Sequence, residues 1–160
     1  MIVRAAEVGD RDVIWSILEP VIRAGETYTL DREMSRDAAL GYWFSSGHEV
    51  FVAEDGGAVV GTYYLRANHG GGGSHVANCG YVTASNAMGK GVARAMCEHS
   101  LERARSRGFK AMQFNFVVGS NERAVRLWQS YGFNILCRLP KAFLHPQLGY
   151  VDAFVMFREL

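Results

Sequence analysis

Between Tyr81 and Arg107 the chain passes from a strand-like run into a long amphipathic stretch through the turn Met88-Gly89-Lys90-Gly91-Val92-Ala93. Few features constrain a fold as tightly. Glycine admits positive φ and lets bare backbone come close to a ligand. The first N–H groups of a helix lack intrahelical acceptors and stand at the positive end of its dipole. Two glycines at that mouth make a receptor for a pyrophosphate, with Lys90 adding a mobile cation. A strand entering such a turn and a helix leaving it imply a sheet with helices packed on it, an α/β fold.

Spacing separates the families that use turns of this kind. A dinucleotide fingerprint needs a third glycine where this chain has Arg94, and a P-loop needs glycine at Ala84 and Ser or Thr at Gly91. Both fail. The segment Gly80-Tyr81-Val82, then six residues, then Gly89-Lys90-Gly91-Val92-Ala93 resembles the coenzyme A motif of the acetyl-CoA-dependent N-acetyltransferases of the GNAT family. That resemblance implies that Met88, Gly89, Lys90, Gly91, Val92 and Ala93 hold the pyrophosphate, while Tyr81, Val82 and Thr83 pair with the pantetheine arm like an added strand. The family's usual Arg or Gln at the first motif position is Met88 here, so the grip is expected to be mainly backbone.

The remaining elements follow from periodicity and caps. Residues 2–5 read as a short strand. Asp10 caps a helix with Val13, Ile14, Ile17, Leu18 and Val21 on one face, and Pro20 is expected to end or kink it near Glu19. Residues 24–34 read as a loop, and Ser35 caps a second helix through Trp43 and Phe44. Residues 50–53 and 58–65 form a hairpin about Asp55-Gly56-Gly57. Gly70 to Gly73 is a flexible link, since no helix follows it. Strands at 75–83, 111–118, 133–139 and 150–157 alternate with helices at 91–107 and from the Asn121 cap through Tyr131. This order, β-α-α-β-β-β-α-β-α-β-β, is that of the same family. The order predicts a single α/β domain over residues 1–160, and the resemblance implies a mixed twisted sheet of about seven strands, splayed at the centre near Tyr81 and Asn115, with about four helices.

Composition excludes several other functions. Seventeen basic residues against 16 acidic ones, a formal charge of +1, give no footprint for nucleic acid or a membrane surface. Cys79, Cys97 and Cys137 are odd in number and far apart, which argues against a disulfide frame or a paired-cysteine metal site. His69, His75 and His145 have no partner at ligand spacing, so no metal is expected. The N-terminal residues show no apolar leader, which predicts a reduced, cytoplasmic protein.

A second motif, N-x-x-A-x-x-L-W-x-x-x-G-F from Asn121 to Phe133, resembles the family's N-x-x-A-x-x-L-Y-x-x-x-G-F. The resemblance places Asn121 and Trp128 beside the cofactor. It also shows a departure, because Trp128 stands where relatives carry the Tyr that protonates the leaving thiolate. Indole cannot give up a proton at neutral pH. A thiol of pKa near 8.5 nonetheless leaves as thiolate at pH 7 for only about 2 kcal/mol, so the activity survives that loss.

Asparagine is depleted from strands, yet Asn78 and Asn115 lie inside two of them. With His75-Val76 and Phe114 they resemble a subgroup that includes the yeast enzyme acetylating azetidine-2-carboxylate. By that likeness Asn78 and Asn115 hold the amine and carboxylate of a small acceptor. Glu26, in the loop between the first two helices, is the candidate general base. The expected reaction is direct acetyl transfer from acetyl-CoA to a small-molecule amine such as an amino acid, imino acid or analogue. A protein or peptide acceptor, and a non-catalytic acyl-CoA sensor, remain as alternatives. Family members often pair through late strands, so a homodimer is an open possibility.

Overall fold

Seven strands close into one sheet in a computed structural model that describes residues 1–160. In chain order they are β1 (Ile2–Ala5), β2 (Glu49–Asp55), β3 (Ala58–Ala67), β4 (Val76–Thr83), β5 (Ala111–Val118), β6 (Asn134–His145) and β7 (Gly149–Glu159). The helices are α1 (Arg11–Ala24), α2 (Arg36–Trp43), α3 (Val92–Ser106) and α4 (Glu122–Ser130). The sheet order is β1-β2-β3-β4-β5-β7-β6, and β4 with β5 is its parallel pair. Every other neighbouring pair is antiparallel.

Alternation along the strands divides the core in two. Tyr63, Leu65, Cys79, Met112 and Phe114 face α3 and α4, where Met96, Cys97, Leu101, Trp128 and Phe133 pack on them. Val50, Val52, Tyr64 and Val82 face the other side, under Ile14, Ile17, Leu18 and Ile22 of α1 and Leu40 and Trp43 of α2. The functional surface is built where these two layers are allowed to meet.

They meet because β4 and β5 part company. The two strands pair only at Val76–Ala111 and Ala77–Met112, and a bulge between Phe114 and Val117 turns β5 further away. One residue beyond the last pair, the Asn78 side chain takes over and donates from Nδ2 to the Gln113 carbonyl at 2.9 Å. A buried amide thus spans the point where the backbone ladder fails. The expected splay is present.

Two expectations from the sequence need correction. Helix α1 does not end near Glu19 but continues through Pro20 to Ala24 and ends at Gly25, whose φ of 65° supplies the left-handed cap. Proline inside a helix costs about 3 kcal/mol. Burial of Ile22 beyond it returns roughly 1.5–3 kcal/mol, and the Gly25 N–H bonds the Val21 carbonyl. Strand β6 continues past the expected end at Leu139 to His145. Its register shifts between Leu139 and Phe143, around Pro140, and the Lys141 N–H there is taken by Asp152 Oδ1 at 2.9 Å. A bulge lets a strand absorb a proline. Within the glycine run, Gly71–Gly73 form a short 3₁₀ turn behind an extended Gly70. No helix is long and apolar enough to cross a membrane.

Candidate active site

The turn before α3 is laid out as its glycines require. Gly89 and Gly91 adopt φ of 80° and 84°, and Gly91 is the N-cap of α3 without any side-chain cap. The N–H groups of Gly89, Gly91, Val92, Ala93 and Arg94 have no acceptor on the protein. A row of uncommitted donors at the positive end of a 15-residue helix is a site for phosphate oxygens. Arg123 from α4 approaches this turn, within 3.9 Å of where a Gly89 side chain would begin, and Arg94 also lines it.

From that turn a cavity of about 670 Å³ runs along β4 and through the sheet. The β4 backbone forms one wall. Ala84 donates its N–H to Val60 of β3, and Val76 accepts from Asn68 on the same side. Strand alternation then aims the N–H and C=O groups of Cys79, Tyr81 and Thr83 into the gap. Trp128 forms the opposite wall, 93% buried, with ring centroids 4.9 Å from Tyr81 and 5.0 Å from Phe114. Its indole N–H has no acceptor within the protein, yet is not sealed away.

Residues 15–133 match the Acetyltransferase (GNAT) family. The chain belongs to that family. It is similar to a GCN5-related N-acetyltransferase from Kribbella flavida, with a TM-score of 0.95 and 41% identity over 99% of this chain and 97% of that one. It is also similar to N-acetyltransferase aca1 of Schizosaccharomyces pombe, 27% identical across 84% of this chain and 72% of the yeast protein. A GNAT phosphinothricin acetyltransferase from Sinorhizobium meliloti, solved in complex with acetyl-CoA, shares the fold at a TM-score of 0.86 and 22% identity, over 99% of this chain and 88% of that one.

This GNAT protein is therefore an acetyl-CoA-dependent N-acetyltransferase. Its open row of N–H donors and its unpaired β4 edge fit that cofactor in chemistry as well as in placement. Among the residues singled out from the sequence, Asn78, Tyr81, Val82, Thr83, Met88, Gly89, Gly91, Val92, Ala93, Asn115, Asn121 and Trp128 all line the cavity. Lys90 and Glu26 do not; both are exposed to solvent away from its wall. The cations on the wall are instead Arg66, Arg94 and Arg123. From the loop that carries Glu26, it is Thr27, Tyr28 and Thr29 that reach the cavity, with Tyr28 donating its hydroxyl to the Tyr81 carbonyl at 3.0 Å. Asn121 also caps α4, accepting the Ala124 N–H at 3.4 Å.

On the α1/α2 face the cavity is polar and its amides are already engaged. Asn78 accepts from Arg66 Nε at 3.3 Å while bonding Gln113. Asn115 and buried Asn68 exchange amide hydrogen bonds of 2.7 and 3.1 Å, and Gln113 Nε2 adds a third at 2.9 Å. Tyr42 and Tyr64 hydroxyls meet at 3.2 Å, and Gly80 leaves room for the Tyr64 ring, which a side chain at 80 would strike at 2.6 Å.

No Asp, Glu or His lines this cavity. Burial pushes the Cys79 thiol up to about 12, with Tyr81 and Ser100 opposing the shift only in part. Burial likewise raises the Tyr28, Tyr64 and Tyr81 phenols. At neutral pH the wall therefore offers hydrogen bonds and positive charge, but no anionic base or thiolate. The Glu54 carboxylate lies off this wall and is held by Arg4 at 3.1 Å.

Proposed function

We propose that the enzyme acetylates the amino group of a small molecule, an amino acid, imino acid or analogue, by direct attack in a ternary complex. One observation carries this reading. The cavity continues past the cofactor turn into a polar recess between Tyr28, Tyr42, Tyr64, Arg66, Asn78 and Asn115. A recess of that kind suits a compact acceptor better than a peptide chain.

In this reading the free N–H groups of Gly89, Gly91, Val92, Ala93 and Arg94 hold the pyrophosphate, assisted by the Arg94 and Arg123 side chains. Tyr81 to Thr83 receive the pantetheine arm, and Asn121 and Trp128 flank it. Acetyl-CoA supplies an acyl carbon activated by its thioester. The Tyr81 N–H, pointing into the gap, polarises the carbonyl oxygen and stabilises the charge that grows there. Asn78 and Asn115 orient the acceptor through the amide hydrogens and lone pairs left free by their separate bonds, to Arg66 and the Gln113 carbonyl for Asn78 and to Asn68 and the Gln113 side chain for Asn115. The acceptor ammonium loses one proton to water, its nitrogen forms the C–N bond as the C–S bond breaks, and its second proton ends on the thiol. No covalent enzyme intermediate is needed, and a Cys79 thiol held up near 12 would be a poor nucleophile. Glu26 could take part only by relaying a proton through solvent.

Thiol release measured across free amino acids, simple amines and short peptides tests the reading. Turnover with amino or imino acids is expected; turnover with peptides alone would overturn it. Exposed Leu136, Leu144, Leu148 and Tyr150 on the β6–β7 hairpin favour pairing of two copies, which light scattering on the eluting protein would reveal.

A further inference from the structure

We infer that Arg66 is the anchor for a carboxylate on the acceptor, so that the site selects amines carrying an acid group. This rests on the proposed acetylation of small amines and adds the feature that picks among them. The recess contains one formal charge. Arg66 lies on β3 directly across from Asn78 on β4, half-buried, and lines the cavity. Its Nε is tied to Asn78 Oδ1, and Asn78 is in turn fixed to Gln113. Both terminal nitrogens of Arg66 have no acceptor on the protein, and no carboxylate lies within ion-pair distance.

Most other arginines of similar burial have a counter-charge: Arg4 is paired with Asp10 and Glu54, Arg23 with Glu19 and Arg103 with Glu49, while Arg158 has no carboxylate and donates to the Tyr131 carbonyl instead. A half-buried guanidinium that is pinned at Nε, turned to a cavity and left without a counter-charge is prepared for a two-toothed contact with a planar anion. Arg94 and Arg123 lie at the far end, beside the phosphate turn. Asn78 marks the start of the gap, and Tyr81 is three residues along the same strand, roughly 10 Å. An amino acid held by its carboxylate at Arg66 therefore lies in the part of the cavity where the gap begins, on the side away from the phosphate turn.

The same contact answers the lack of a base. In a free amino acid the carboxylate stabilises the neighbouring ammonium and holds its proton on. Pairing that carboxylate with Arg66 cancels the stabilisation and puts a cation near the ammonium, so the proton leaves more readily to water. A diamine or polyamine finds no anion anywhere on this wall.

The test compares L-proline and L-methionine with their carboxamides, using wild type, Arg66→Gln and Arg66→Lys. Gln at 66 keeps a donor for Asn78 and removes the charge. Wild type should favour each acid over its amide by at least 30-fold in kcat/KM. Arg66→Gln should reduce that preference to under threefold, with Arg66→Lys between, and should move the alkaline rise of kcat up by about one pH unit. Acetyl-CoA affinity by calorimetry should stay within twofold in all three. An NMR titration of the CoA complex with the same four compounds separates binding from turnover. Equal response to acid and amide, or an unchanged preference in Arg66→Gln, overturns the role of Arg66. Arg66-dependent binding of the acids without thiol release sinks the proposed reaction and leaves the carboxylate anchor standing.

Discussion

Asn78→Ala separates a strut from an acceptor contact. In the native protein the Asn78 amide is 94% buried and makes two bonds, to the Gln113 carbonyl at 2.9 Å and from Arg66 Nε at 3.3 Å. Alanine leaves the Gln113 carbonyl without a donor at the place where β4 and β5 separate. A buried carbonyl deprived of its partner costs about 1–3 kcal/mol. Arg66 adds little, because its nitrogens can turn to water in the cavity. A loss of about 2 kcal/mol in a domain of this size lowers Tm by roughly 4–8 °C. Thermal unfolding of the ligand-free protein, followed by circular dichroism, reads this directly. Asn78→Asp should unfold no later than the alanine variant, since its oxygens face the Gln113 carbonyl. It should also be the poorer catalyst with a carboxylate acceptor, because the new carboxylate occupies Arg66. A Tm for Asn78→Ala within about 1 °C of wild type would refute the strut, and an Asp variant outperforming Ala on amino acids would refute the electrostatic half.

Three further outcomes follow from the geometry. Gly91→Ala meets no atom within 4 Å, so its penalty is the φ of 84° alone, about 1–2 kcal/mol. Calorimetry should show weaker acetyl-CoA binding as the N–H row relaxes, and unchanged affinity and stability would contradict that reading. Trp128→Ala empties the wall between Tyr81 and Phe114 and should cost about 3–5 kcal/mol in urea unfolding, whereas less than 1.5 kcal/mol would mean that the aromatic stack bears little load. Asp10 is bonded by both Arg4 terminal nitrogens, at 2.7 and 3.0 Å, and by the Glu7 N–H, and the Arg4 bonds chiefly hold its carboxyl below the usual range. A carboxyl depressed on folding stabilises above its unfolded pKa, near 3.9. Asp10→Asn should therefore be less stable by about 1–2 kcal/mol from pH 5 to 8, a value reduced for the partly exposed Arg4. That gap should close as pH falls below about 4, and a gap independent of pH would contradict the ion pair.

Much of this molecule could be read from local chemistry. Asn121 caps α4 and Ser35 caps α2 as their positions demand, the latter by accepting the Ala38 N–H at 3.2 Å. Gly89 and Gly91 take the positive φ that the turn requires. Pro20 misled because a local cost was weighed without the burial of Ile22 and the Gly25 cap that offset much of it. Glu26 drew attention for its carboxylate, yet loop residues point according to tertiary packing, and it is Tyr28 that turns inward. Arg66 and Asn68 escaped notice for a related reason. Arg66 sits in an ordinary strand pattern, and Asn68 gains meaning only from Asn115, 47 residues away.

The sequence by itself determined the order of elements, the glycine turn and the coenzyme it suits, because caps, periodicity and positive φ are settled by neighbours along the chain. Only the tertiary structure decided which charges line the cavity and which amides are already spent. Those depend on where β4 leaves β5, and on which side chains from β3, the α1–α2 loop and α4 fall across the gap. A charge acquires its role from the counter-charge it has or lacks in space. For Arg66 that became visible only once the chain had folded around it.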